Sequence, residues 1–339
     1  MGIRTLAREL DLSIGTVSRA LNGRPDVNES TRARVKAAAA AAGYEPNQSG
    51  RSLRKGCTGM VAALVPTSVI GPQVDSIFGR VFEGVRRTLH REDVDLMVLF
   101  RGPEEDPLAN LQRVVSRRIA DAIILTQTRR HDPRIACLEA TGTRFVCFGR
   151  SADPGSHPWV DFDFETAAAE AARAFAAAGQ RRLALVTNEF DLNYNDILRR
   201  VFRAEAERLG VEAQILATRA YRLTDDSRAA LADPGRAPTA FLAGNETIAA
   251  GLYRELAALG RPVGRSSSMI CALPALAPGA VAPTLSSFET DLDAVGCALG
   301  RHLLAILPGF GPRRAPPVGP TPGRLVLRGS ETARALLTA

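Results

Sequence analysis

The spacing of hydrophobic positions changes near residue 59, and the two regimes predict different architectures. Before that point Ile3, Leu6, Ala7 and Leu10 recur at i, i+3, i+4 and i+7, one stripe of a short helix. Asp11 interrupts it with a short acidic side chain that tolerates the left-handed backbone of a sharp turn. Ser13 is then placed to accept an amide hydrogen bond at the start of a second helix, which ends at Gly23 with Pro25 barring continuation. Within this stretch, "SIGTVSRALNG", Val17, Ala20 and Leu21 share one face, whereas Ser13, Thr16, Ser18, Arg19 and Asn22 have nothing apolar to cover. A third helix opens at the capping residue Asn28, passes Val35 and the alanines 37–42, and closes at Gly43.

From Gly59 onward apolar runs alternate with helical stretches. The runs are "MVAALVP", "DLMVLF", "DAIILT", "RFVCFG", "RLALVT", "TAFLAG" and "SMICAL", separated by amphipathic segments such as 76–91 and 165–178. This predicts an α/β fold with buried parallel strands and crossover helices. Strand initiation near residues 61 and 182 divides it into two successive halves. At 339 residues the chain exceeds what a single core usually organises.

Charge sharpens the distinction. The formal net charge is +7, and residues 1–56 hold ten Arg and Lys against five acids, so +5 of it sits on the small N-terminal unit. A basic patch of this kind favours a polyanion. Several other classes lose support. No apolar run reaches the ~18 residues of a spanning helix, and the N-terminus has no signal core. Cys57, Cys137, Cys147, Cys271 and Cys297 show no CxxC spacing and read as reduced thiols of a cytoplasmic protein. The four histidines are scattered, so no metal or other cofactor is expected. No GxSxG elbow or phosphate-cradling loop is present, and "GRSSS" lacks a nearby His or Asp, so the chain is not expected to be an enzyme.

Two short helices joined by a tight turn, with a third across them, make a helix-turn-helix unit whose second helix can enter a DNA major groove. Ile14 and Gly15 would meet base edges at its leading end, and Arg19 could donate two bonds to a guanine. Thr16, Ser18 and Asn22 are short donors suited to phosphates. The segment "IRTLARELDLSIGTVSRALNGRPDVNESTRARVKAAAAAAGYEPNQSGRSLRKG" resembles the DNA-binding head of the lactose-repressor (LacI/GalR) family, with TVSRALNG, V-x-E-x-T-R-x-R-V and GY-x-PN carrying the match. The resemblance implies a transcriptional repressor acting as a homodimer on a palindromic double-stranded operator. It implies that Ile14, Gly15 and Arg19 read bases, and that Thr16, Ser18, Asn22, Asn28, Thr31 and Tyr44 hold the DNA backbone. Gly15 departs from the longer side chains frequent at that position, which shifts weight to Ile14, Arg19 and DNA shape.

The resemblance also divides the chain. Residues 1–46 form the helix-turn-helix head and 47–58 a hinge helix that orders when two subunits meet on DNA, with Leu53 as a minor-groove wedge. Residues 59–339 form a two-lobed periplasmic-binding-protein-like domain that dimerises and takes a small-molecule effector between its lobes. Lobe 1 is expected to span about 59–157 and 288–320, and lobe 2 about 158–287 and 321–330. No heptad tail follows, which favours a dimer over a tail-built tetramer. Members similar in "FGR…HPW-DFD" and "FETDL" respond to oligosaccharides, so the effector is expected to be a sugar. The arginine and aspartate that grip ligand in many members correspond here to Leu198 and Leu273, and Arg199 or Arg200 are candidate replacements for the arginine. Asn245 matches a family ligand contact, and Arg150, Trp159, Asp161, Asp163, Gln73 and Asp75 are further candidates because they follow strand ends. Trp159 could stack on a sugar or serve the core, Asp161 and Asp163 could cap the next helix, and Gln73 and Asp75 could be loop surface. The competing reading is an effector-independent DNA-binding regulator whose lobes serve only dimerisation.

Gly50 stands in the hinge where the family usually has alanine, and glycine costs ~1 kcal/mol relative to alanine within a helix. Gly50→Ala is therefore expected to tighten operator binding and weaken release by effector. Equal affinities of the two proteins in gel-shift titrations would contradict this.

Overall fold

A computed structural model describes residues 2–21, 26–44, 57–67, 77–233, 235–310 and 314–332. Asn22, Leu53, Gln73 and Asp75, and all of the predicted hinge up to residue 56, lie outside the described residues. The chain divides into two compact units, Met1–Gly59 and Met60–Ala339.

The first unit is built as its hydrophobic spacing requires. Helices α1 (Ile3–Glu9), α2 (Ile14–Leu21) and α3 (Glu29–Ala41) enclose Leu6, Ala7, Val17, Ala20, Val27, Val35 and Ala39. Asp11 turns the chain with φ 52°. The Ser13 hydroxyl accepts from the Thr16 amide at 3.0 Å and Asn28 Oδ1 from the Ser30 amide at 2.9 Å, so both predicted caps form.

The second unit contains two sheets among its described residues. The first holds β1 (Met60–Pro66), β2 (Asp95–Arg101), β3 (Ala122–Thr126), β4 (Phe145–Phe148), β5 (Trp159–Phe162) and β12 (Gly319–Thr321), all parallel, in the order β12-β5-β4-β3-β1-β2. Between its strands run α4 (Ile77–His90), α5 (Pro107–Arg117) and α6 (Pro133–Ala140). The second sheet holds β6 (Arg182–Asn188), β7 (Glu212–Arg219), β8 (Arg222–Leu223), β9 (Ala240–Ala243), β10 (Ser268–Cys271), β11 (Ser286–Glu289) and β13 (Arg324–Val326). Its order is β13-β11-β10-β9-β6-β7-β8, parallel except where β8 and β13 pair antiparallel at the two edges. Its helices are α7 (Phe164–Ala177), α8 (Asn193–Arg208), α9 (Asp225–Ala232) and α10 (Glu246–Ala258), while α11 (Leu292–Ile306) returns to the first lobe. Interior strands such as β3, β4, β9 and β10 are buried along their whole length, which is why they read as unbroken apolar runs.

The chain makes its first two lobe changes at joints of one design. Strand β5 belongs to the first sheet, pairing Cys147 with Trp159 and Phe148 with Val160, and α7 after it packs in the second lobe. The crossing expected near residue 158 therefore falls at Asp163, because "WVDF" is spent extending the first sheet. Asp163 Oδ1 caps α7 through the Thr166 amide at 3.0 Å. The return follows β11, which lies wholly in the second sheet, so lobe 1 resumes after Glu289, beside the crossing expected near 288. Asp291 there caps α11 through the Ala294 amide at 2.9 Å. Between β12 and β13 the chain crosses a third time without a helix, and Thr321 still pairs in the first sheet.

Helices α4 and α11 of the first lobe touch backbone to backbone. A Cβ on Gly296 would lie 2.1 Å from the Val81 carbonyl oxygen, and one on Gly84 would lie 2.8 Å from that of Asp293. No side chain can rotate away to relieve such a contact. Gly296→Ala is expected to force the helices apart and cost ~1–3 kcal/mol or more. A urea-denaturation midpoint unchanged from the parent chain would contradict it.

Candidate functional site

Two surfaces concentrate chemistry. The first is the outer face of α2. Val17 and Ala20 are fully buried, which turns Ile14, Gly15 and Arg19 outward; Ile14 keeps 43 % of its surface exposed although it is apolar. The Ser13 and Thr16 hydroxyls are 2.8 Å apart, which ties the leading turn together. Arg19 Nε lies 3.5 Å from Asp26, but both side chains are more than half exposed, and such pairs contribute only ~0–1 kcal/mol. The guanidinium is thus positioned yet exchangeable. Asn28 spends its Oδ1 on the amide and hydroxyl of Ser30 in capping α3. Thr31 and Tyr44 are half-buried, and Tyr44 packs against the head's core.

The second surface is a cleft of about 620 Å³ between the lobes of the second unit, at the carboxyl ends of the strands. Arg150, Asp161 and Asn245 line it, as three of the predicted residues should. Trp159 and Asp163 do not. The Trp159 ring is 9 % exposed, sits in the first lobe's core and carries the Arg150 guanidinium 5.2 Å above its centroid. Asp163 is occupied as the α7 cap. Neither Leu198, buried in the core, nor Arg199 or Arg200 reaches the lining; Arg199 bonds Thr187 Oγ1 at 2.9 Å and the Asn188 carbonyl at 3.1 Å, and Arg200 is exposed. Leu273 does line the cleft.

Charges at the cleft answer one another. Arg150 lies 3.5 Å from Asp161 and 2.5 Å from Glu165. Asp161 is buried, and desolvation raises its carboxyl from the usual 3.8 to about 7 against the opposing pull of Arg150. Asn245 lines the cleft and caps α10, its Oδ1 accepting from the Ile248 amide at 2.9 Å. The lobes are joined beside the cleft by Arg130 to Asp196, 3.1 Å, and by the Asn193 amide to the Thr128 carbonyl, 3.0 Å.

Several lining residues escaped the sequence reading. Gln127 and Thr128 follow β3, Asn188 ends β6, Tyr194 begins α8, and Tyr221 sits in the β7–β8 turn with φ 62°. Thr128 Oγ1 is buried without a nitrogen or oxygen partner. Tyr194 Oη accepts from Asn188 Nδ2 at 3.0 Å, and burial pushes its hydroxyl up to about 12. The strand-end rule that found Arg150 would have found Gln127, Thr128 and Asn188 had it been applied to "DAIILT" and "RLALVT" as well.

The folded chain binds the Asp161 proton more tightly than the unfolded chain does. Raising the pH from about 4 to about 7 therefore removes stability contributed by this group. Asp161→Asn is expected to gain stability relative to the parent chain as pH rises across that window. Parallel stability profiles of the two proteins by urea denaturation would contradict this.

Known proteins resemble both units of the chain. Residues 3–47 match the family model "Bacterial regulatory proteins, lacI family", and residues 172–331 match "Periplasmic binding protein-like domain". The HTH-type transcriptional regulator AglR of Rhizobium meliloti (strain 1021) is 31 % identical over 313 residues, covering 90 % of this chain and 87 % of the relative. RafR of Escherichia coli, also an HTH-type transcriptional regulator, is 30 % identical over 302 residues, covering 87 % and 86 %. Among solved structures, the lac repressor dimer bound to operator and the anti-inducer ONPF superposes with a TM-score of 0.83 at 17 % identity, covering 98 % of this chain and 99 % of that one. A CelR–cellobiose complex gives 0.67 at 22 % identity, covering 97 % and 99 %. The matching head, the two parallel-sheet lobes and relatives of 30 and 31 % identity over most of their length lead to one conclusion: the chain belongs to the LacI family of bacterial transcriptional regulators, which are DNA-binding proteins and not enzymes.

Proposed function

We propose that two copies of this chain bind a palindromic operator and repress transcription until a small molecule, a sugar, occupies the cleft between the lobes. The observation that carries the DNA reading is the exposed face of α2, where Ile14 and Arg19 project opposite the fully buried Val17 and Ala20. In this reading Ile14, Gly15 and Arg19 face base edges. Thr16, Ser18, Asn22, Asn28, Thr31 and Tyr44 fix the register on phosphates, and Leu53 of each subunit enters the minor groove at the centre.

The cleft supports effector control over lobes kept only for dimerisation. It is large enough for a sugar and is lined by polar side chains such as Asn188 and Asn245, and the related CelR carries cellobiose. A ligand can act only through different affinities for two lobe arrangements. Arg130 with Asp196, and Asn193 with Thr128, are contacts that such arrangements would make or break.

Arg19→Ala is expected to cost ~1–3 kcal/mol at one base pair of each half-site and to relax preference there, while leaving nonspecific binding nearly intact. The check is competitive gel-shift titration against single-base operator variants. An unchanged preference among those variants would overturn the assignment of Arg19.

A further inference from the structure

The outer face of α2 carries an arginine whose contacts serve no element of the fold. Two other arginines of the head are tied to its backbone. Arg32 donates to the Val27 carbonyl at 3.1 Å and pairs with Glu29 at 2.6 Å, and Arg34 donates to the Leu10 carbonyl. Arg19 meets a carboxylate instead: its Nε lies 3.5 Å from Asp26 Oδ2, with both side chains more than half exposed. Water screens such a pair in the free protein, so it adds little to stability.

Asp26 is also a costly residue to keep beside that face. The first 56 residues carry a net +5 suited to phosphates, and an acid next to a phosphate repels it. The pair with Arg19 gains strength only when a duplex covers it, because the displaced water lowers the effective dielectric between the two charges.

The geometry of the pair leaves one end of the guanidinium free. With Nε turned to Asp26, Nη1 and Nη2 form the open fork, the two donors that can meet guanine O6 and N7 together. The fork reaches back along the helix. Nη1 lies 4.0 Å from the point that a Cβ on Gly15, one turn earlier, would occupy. Packing does not demand glycine there: the nearest atom to such a Cβ is Ser13 Oγ at 3.6 Å, an ordinary contact, and alanine favours a helix more. The absent side chain instead leaves the guanidinium the space that a longer residue 15 would fill.

We propose that Asp26 is a positioning residue for Arg19, holding Nε so that Nη1 and Nη2 meet a guanine end-on across the bare backbone of Gly15. This rests on α2 being the base-reading helix. Arg19 then discriminates through a fixed fork and not as a mobile charge.

The test uses the full chain, a duplex that it enriches from a random-sequence pool, and single-base-pair variants of that duplex introduced in both half-sites. Gel-shift titration gives, at each position, the ratio of dissociation constants between variant and parent duplex for the parent chain, Arg19→Ala, Asp26→Asn and the double variant. Arg19→Ala marks the base pair that Arg19 reads. Asp26→Asn is expected to shrink the ratio at that base pair by about five-fold, to leave the other ratios unchanged, and to have no further effect on it once Arg19 is alanine. A residue that only stabilised its turn would alter affinity for all duplexes by one factor and leave every ratio as it was. That result, or an effect of Asp26→Asn that persists without Arg19, overturns the positioning role and leaves base reading by Arg19 standing. If no duplex is enriched, or Arg19→Ala shifts no ratio, the base-reading proposal fails and this one with it.

Discussion

The second unit depends on how its chain passes between lobes. Each of the first two crossings runs from a strand completed in one sheet, through an aspartate, into a helix packed in the other lobe. Asp163 and Asp291 accept hydrogen bonds from the first-turn amides of α7 and α11. Because the cap sets the direction in which a helix leaves its strand, these joints fix where each lobe begins. They also explain the position of the cleft. Phe162 and Phe164 flank the first joint and both line the cavity, so part of its wall forms where the chain changes lobes.

The head obeys a simpler constraint. Its core is seven small or medium apolar side chains, and α2 contributes only Val17 and Ala20 to it as fully buried residues. A helix with so little to bury needs help to hold its place. The Ser13 cap at its start and the left-handed turn at Asp11 before it supply that help. The outer face is then free of structural duty and can carry an exposed isoleucine and a weakly paired arginine, a combination with little use except contact with a partner.

How much of this was legible in the sequence varied with burial. The head could be read nearly residue by residue, because its caps, turn and apolar stripe are all local features. Interior strands were legible as continuous apolar runs, since both of their faces are covered. Three outer strands were not: β7, "EAQILATR", next to the edge, is only partly buried, and the edge strands β12 and β13 are three residues each. The resemblance put the first crossing near residue 158, but β5 runs on in the first sheet, with the buried Asp161 held beside Arg150 at 3.5 Å and accepting from the Phe162 amide. Cleft residues were legible where a strand end was conspicuous, as at Arg150, or where a family contact matched, as at Asn245. They were missed where long-range packing brought them in, as with Tyr194 and Tyr221. The shift of Trp159 from ligand candidate to core follows from its place inside β5, which only the sheet order reveals.

The account rests on a symmetric pair of heads reading one duplex. Its most direct test is selection by the full chain from a pool of random-sequence duplexes at modest ionic strength. The account predicts enrichment of two inverted half-sites at a fixed centre-to-centre spacing. Enrichment of a single unrepeated site, or no enrichment at all, would contradict it.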